Sequence, residues 1–257
     1  MTRIGIAGVT GRMGRLLVEE VGAGGAQLAG GLARQIDGRA FPAGVAAFDD
    51  LGKLARRSDV VVDFTHAEAV RGHAAALTDA GTPWVLGTSG LSAEDDAVVA
   101  QAARRIPVCY AANFAPGVNL VLALAERMGA ALPAESYDAE IVETHHRQKV
   151  DAPSGTALGL GRAVAKGRGV ALADVIEHAR DGHTGPRRTG AIGFASLRAG
   201  QVVGEHTLLF ASGSEHIALT HRAFDRRVFA TGAVRAALWL AGRAAGLYGM
   251  ANVLGFG

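Results

Sequence analysis

Cysteine is all but absent: Cys109 stands alone among 257 residues, so no disulfide can form within the chain. A reducing compartment suits such a chain. The setting of Cys109 in the apolar run PVCYAA reads as a small buried side chain rather than a nucleophile. An excess of one charge is missing as well. Lys and Arg number 26 against 24 Asp and Glu, for a formal net charge of +2. The basic pairs Arg104-Arg105, Arg187-Arg188 and Arg226-Arg227 are scattered, so no nucleic-acid partner is expected. No run of about 18 apolar residues occurs. The best candidate, residues 228–250, is interrupted by Arg235 and Arg243, so no membrane partner is expected either. The opening MTRIGIAGVTGRMG meets glycine too early for a signal-peptide core, and the expected location is the cytoplasm. No internal repeat is visible.

What is present is a globular composition, 49% hydrophobic and 19% charged. Through residue 115, short apolar runs at 3–7, 27–32, 59–64, 84–87 and 108–112 alternate with helical patterns at 12–22, 67–80 and 93–104. Continuous apolar strands between helices imply a parallel sheet covered on both faces, an α/β, Rossmann-like doubly wound arrangement. After residue 115 a helix is expected at 118–128, a strand at 138–144 and a helix at 156–166. Strand-like stretches follow at 190–197, 202–210 and 215–221, the pattern of a second α+β domain with an open mixed sheet. A long Ala/Leu helix is expected at 231–247. The boundaries read as 1–115, rejoined by 226–257, and 116–225.

The first strand ends in Gly8-Val9-Thr10-Gly11-Arg12-Met13-Gly14 and opens a helix. Glycine permits the tight turn and lets the backbone approach a pyrophosphate, which the helix N-terminus favours. The spacing is GxxGxxG, and its place at the first turn of a βαβ unit makes residues 1–115 the dinucleotide-binding domain. About 20 residues on, an NAD-preferring site carries an acid. Here the run is Leu32-Ala33-Arg34-Gln35, and Arg34 can hold a 2′-phosphate. The cofactor expected is NADPH, with NADH weaker. An alternative leaves Arg34 solvated and gives the ribose to Asp37. Later strands end in Asp63-Phe64-Thr65, Gly87-Thr88-Ser89-Gly90 and Ala111-Ala112-Asn113-Phe114, all candidates for the same crevice.

Residues 143–157 read ETHHRQKVDAPSGTA. His146 and Lys149 can supply charge to a bound carboxylate, and Ser154, Gly155 and Thr156 can supply donors at a helix start. Lys149 becomes a natural proton donor if cationic histidines beside it lower its pKa. Structural histidines and a solvated lysine are the plainer alternative. A metal is not expected, because neighbouring residues on a strand face opposite ways and no compact ligand set accompanies the pair.

This stretch closely resembles the signature of the 4-hydroxy-tetrahydrodipicolinate reductase (formerly dihydrodipicolinate reductase) family, which serves the diaminopimelate route to lysine. GVTGRMGR, DFT, GTSG, AANFAPGVNL, GHTG, IGFASLRAG, VGEHT and GAVRAALWL resemble further landmarks in family order. The resemblance implies that Gly8, Val9, Thr10, Gly11, Arg12 and Met13 hold the pyrophosphate and that Arg34 meets the NADP phosphate. It implies that Gly87, Thr88 and Ser89, with Ala111, Ala112, Asn113 and Phe114, line the nicotinamide side. His145 would be the acid/base residue and Lys149 the proton donor. His146, Gly155 and Thr156 would bind a dicarboxylate substrate, and Arg226 would touch the cofactor. Residues 116–225 would bind substrate and assemble a homotetramer. Many members carry an acid where Ala33 stands; its absence here argues against strong NADH use.

A charge-assisted hydrogen bond contributes about 1.5–3 kcal/mol, or roughly 10- to 100-fold in affinity. Arg34→Ala should therefore weaken NADPH by about that factor and leave NADH nearly unchanged, as read by fluorescence titration of each cofactor. Equal losses for both would remove Arg34 from the phosphate.

Overall fold

The computed structural model describes residues 1–33, 40–178 and 180–256. Two compact units emerge, Met1–Pro116 with Arg227–Gly257, and Gly117–Arg226.

In the first unit β1 (Arg3–Ala7), β2 (Gln27–Leu32), β3 (Ala47–Phe48), β4 (Val60–Asp63), β5 (Trp84–Leu86) and β6 (Pro107–Tyr110) join a last short strand, Gly246–Tyr248. Spatially the order is Gly246–Tyr248, β6, β5, β4, β1, β2, β3, and every pairing is parallel. The helices are α1 (Arg12–Ala23), α2 (Leu51–Arg57), α3 (Val70–Ala80), α4 (Ala93–Ala102) and the later Arg227–Leu240. Alternate strand residues enter two separate cores, as the pleat requires. Ile4, Ile6, Val60, Val62 and Cys109 pack with Leu17 of α1 and Ala233 and Leu240 of the late helix. Ala7, Val61, Trp84 and Val108 pack with Leu54, Leu77 and Val99 of α2, α3 and α4. The sheet is doubly wound, and chain order reverses between β1 and β4, where such sheets bind ligands. Cys109 lies wholly inside, and burial pushes its thiol up to about 12.

One element departs from the sequence expectation. The helix expected at 231–247 spans Arg227–Leu240 and stops short of its expected end. Gly242 takes φ +84, a left-handed conformation that favours glycine, and the apolar residues beyond it form a strand against β6. The two-residue β3 and the seven-residue α2 also escaped the reading. Asp50 starts α2 by accepting from the Lys53 N–H at 2.9 Å.

The second unit is built from α5 (Pro116–Ala131), β7 (Asp138–His145), α6 (Gly155–Gly167), α7 (Leu172–Val175), β8 (Ile176–Glu177), β9 (Ile192–Arg198), β10 (Gly204–Ala211) and β11 (His216–Ala223). Its sheet runs β11-β10-β7-β9-β8; the β7–β10 and β10–β11 pairs are antiparallel, and the β7–β9 and β8–β9 pairs are parallel. On one face Ile141, Phe194, Leu208 and Phe210 pack under Ala125 of α5 and Leu160 and Val164 of α6. The other face carries exposed apolar side chains, among them Val142 at 39% and Leu197 at 49%.

Candidate active site

A cleft of ≈ 1670 Å³ lies at the carboxyl ends of the first unit's strands. Backbone geometry builds it. Gly8 holds φ +83, and a side chain there would come within 2.8 Å of the Phe64 carbonyl oxygen. The Gly8 N–H donates to Leu32 O of β2 at 2.9 Å, and the Gly11 N–H donates to Gly8 O at 3.0 Å, which closes the turn. A Cβ on Gly14 would stand 2.6 Å from Val9 Cα, so only glycine lets α1 start so close to β1. No side chain caps Gly11, and no acid stands in the first turn of α1. That helix start offers N–H donors and positive potential to an anion.

Gly8, Thr10, Gly11, Arg12 and Met13 line the cleft, as do Gly87, Thr88, Ser89, Ala112, Asn113 and Phe114. Val9 and Ala111 do not line it. The Val9 side chain is buried in the core and its N–H is spent on Leu32 O, while the Ala111 N–H turns to Leu86 O. Arg34 and Asp37 lie outside the described residues. Thr88 is 2% exposed, and its buried hydroxyl has no hydrogen-bond partner among the described residues. An orphaned hydroxyl in a glycine-framed cleft fits a polar ligand such as a dinucleotide. Phe48, Lys53, His66, His73 and Phe229 also line the cleft and were not foreseen. Asp63 proves structural. It is wholly buried and accepts from Thr65 N and Oγ1, Trp84 Nε1 and His73 Nδ1, at 2.6–3.2 Å, fixing the end of β4.

In the second unit, Glu143 and His145 alternate along β7 and therefore share its helix-covered face with Ile141. Glu143 is 1% exposed. Arg198 grips it with two hydrogen bonds, Nη1 to Oε2 and Nη2 to Oε1, both 3.0 Å. Its Oε1 also accepts the Ser154 N–H at 3.3 Å, and Oε2 makes a very short contact with His145 Nδ1. Burial drives the Glu143 carboxyl upward, but hydrogen bonds from Arg198, His145 and Ser196 more than reverse this and keep it ionised. Ser154 caps α6 through the Ala157 N–H at 3.2 Å, which sets Gly155 and Thr156 in the helix's first turn. His206 stands opposite Glu143 across the β7–β10 pair and reaches Ser154 Oγ at 3.0 Å. Its ring meets that of His145 edge-on, with centroids 5.0 Å apart.

Lys149 rests on both oxygens of Asp151 at 2.9 Å. Burial pushes His145 down, and pushes His206 down to about 4, so both favour the neutral ring at neutral pH. His146 Nε2 lies 3.4 Å from Arg226 Nη2, and its buried Nδ1 has no partner among the described residues. Arg226 is thus seen beside His146. The sequence reading passed over Glu143, Arg198 and His206. Only Glu143 left a local signal, an acid two residues before His145 on the inward face of a strand.

Family models described as dihydrodipicolinate reductase, N-terminus and C-terminus, match residues 2–114 and 117–254. The chain belongs to the dihydrodipicolinate reductase family. It is accordingly an oxidoreductase of the NAD(P)H-dependent kind. The 4-hydroxy-tetrahydrodipicolinate reductase of Granulibacter bethesdensis is 65% identical over 253 residues, covering 98% of this chain and 97% of that one. The enzyme of the same name from Acidiphilium cryptum is 64% identical over 253 residues, with the same coverage, 98% and 97%. Among solved structures, a dipicolinate-bound dihydrodipicolinate reductase from Paenisporosarcina sp. TG-14 superposes with a TM-score of 0.82. It is 27% identical and covers 99% of this chain and 100% of that one.

The buried histidine of β10 gives this family member a pH signature. An unfolded histidine titrates near 6.5, whereas folded His206 titrates at about 4. Between those values the unfolded chain binds a proton that the folded chain refuses. Stability is therefore full above the higher value and is lost as pH falls toward the lower. The loss from His206 is on the order of 3 kcal/mol, and His145 and His221, also pushed down by burial, act in the same sense. Urea unfolding across this range should show a flatter pH dependence for His206→Gln than for the parent. Coincident slopes would mean that His206 is not held neutral.

Proposed function

We propose that the chain reduces 4-hydroxy-tetrahydrodipicolinate, after loss of water, to tetrahydrodipicolinate, with NADPH as preferred reductant and NADH as a weaker one. The step belongs to the diaminopimelate route to lysine, in the cytoplasm. The observation that carries the reading is one buried carboxylate, Glu143, that holds His145 and the start of α6 and is tied through Arg198 to the loop of Lys149, in a chain with 65% identity to a reductase of that name.

Gly8 and Thr10 to Met13 would hold the pyrophosphate against the start of α1. Gly87 to Ser89 and Ala112 to Phe114 would flank the nicotinamide, with the Thr88 hydroxyl, unpartnered among the described residues, as a polar contact. A bound reduced nicotinamide dinucleotide supplies the hydride. Ala33, which lines the cleft where an acid would favour NADH, and the following Arg34 support the NADPH preference.

The substrate carries two carboxylates. One suits the Gly155 and Thr156 turn and the Lys149 ammonium; the other suits His146 beside Arg226. To take Lys149 the substrate must displace Asp151, whose side chain is 57% exposed. Lys149 Nζ then delivers a proton as negative charge develops on the substrate, and His145 Nε2 serves as the acid/base partner. The exposed apolar face of the second sheet, with Val142 and Leu197, suits burial by further copies of this chain in a homotetramer.

The test is NADPH oxidation with enzymatically generated substrate. The parent chain should turn over, and Lys149→Met should lose about 10²–10⁴-fold in kcat, the range of general acid catalysis. No oxidation by the parent would defeat the reaction, and full activity in Lys149→Met would remove the proton donor.

A further inference from the structure

We propose that Glu143 is the positioning residue for His145: its carboxylate, clamped by Arg198, fixes the imidazole with hydrogen on Nδ1 and leaves Nε2 as the working nitrogen. The inference rests on the reading of His145 as the acid/base residue.

The donor count around Glu143 carries it. Oε2 meets Arg198 Nη1 and His145 Nδ1; Oε1 meets Arg198 Nη2 and the Ser154 N–H. Arginine and a backbone amide can only donate, so both oxygens already act as acceptors. An ionised carboxylate has no hydrogen to give, so His145 must donate from Nδ1. The neutral ring is then bare at Nε2, and Nε2 is the only ring atom whose protonation can change. Arg198 balances the buried charge, which lets the imidazole gain and lose its proton beside an anion that stays an anion.

Two further contacts give this arrangement consequences beyond packing. Arg198 Nη2 also donates to Asp151 O at 2.7 Å, on the loop whose side chain holds Lys149. Through Ser154, the same carboxylate reaches the cap of α6. Glu143 thus sets His145 in register with the lysine loop and with the first turn of α6. On the ring's other side residue 204 is glycine, and a Cβ there would stand 3.1 Å from His145 Nε2. The nitrogen that Glu143 leaves bare is the one that a small neighbour keeps uncrowded.

The experiment combines kinetics with a tautomer measurement on the full chain. Glu143→Gln should lower kcat about 10- to 100-fold, the range seen when a residue that orients a working histidine is changed. Substrate KM should move by less than about threefold, because the substrate contacts remain. The limb of the pH profile that His145 carries should shift to lower pH by about one unit, since the anion favouring the imidazolium is gone. In a His145→Gln background, Glu143→Gln should cost much less than it does in the parent, since most of its effect runs through His145. Nitrogen-15 NMR of the wild type should show the neutral His145 ring protonated at Nδ1. Wild-type kcat in Glu143→Gln, a full additional loss in the double variant, or a neutral ring protonated at Nε2 would each overturn the proposal. The tautomer measurement decides even where the substitution unfolds the chain. Full activity in His145→Gln would be distinguishable from these, because it overturns the acid/base reading and the inference together.

Discussion

A carboxylate sealed in the second unit is the constraint around which its site is arranged. Leaving an ion unpaired in such a place costs several kcal/mol, so the fold must bring donors to it from distant parts of the chain. β9 runs parallel to β7 in the register that pairs His145 with Arg198, and this lets the guanidinium fork meet Glu143. β10 runs antiparallel in the register that sets His206 opposite Glu143. The chain after β7 then returns to present the Ser154 N–H. A slip of one residue in either pairing would turn these side chains to the open face and leave the charge stranded. Register, helix start and the setting of His145 are therefore secured by one interaction.

The first unit works by the opposite logic. Its buried carboxylate, Asp63, is fully occupied by donors and serves only to fix the end of β4. The cleft beside it is made, among the described residues, by leaving groups unsatisfied: a helix without a side-chain cap, a glycine where any side chain would strike a carbonyl, and a buried threonine hydroxyl without a partner. One unit holds polar side chains still, and the other leaves backbone polarity open at a cleft. A reductase needs both, since orientation of the reacting group and capture of the cofactor are separate physical tasks.

Much of this was legible in the sequence, for reasons that differ by site. Backbone demands leave local marks, so Gly8, Gly11 and Gly14 could be read as a strand-to-helix turn, and Ser154-Gly155-Thr156 as a helix start. Buried parallel strands such as Val60–Asp63 announce themselves as unbroken apolar runs. What escaped depends on contacts across the chain. Arg198 and His206 stand 55 and 52 positions from the groups they hold, Glu143 and Ser154, and nothing in a linear pattern gives strand register. The Ala/Leu pattern near the carboxyl end concealed a turn at Gly242, because a helix and a short apolar edge strand use the same residues. Val9 lies inside the glycine motif yet belongs to the core, which spacing alone could not separate.

The most direct measurement is a crystal structure of the full chain with NADPH and pyridine-2,6-dicarboxylate. The account predicts one carboxylate on the amides of Gly155 and Thr156 with Lys149 moved off Asp151 onto it, the other on His146, and the pyrophosphate against Gly8 to Met13. A dicarboxylate bound elsewhere, with Lys149 still on Asp151, would contradict it.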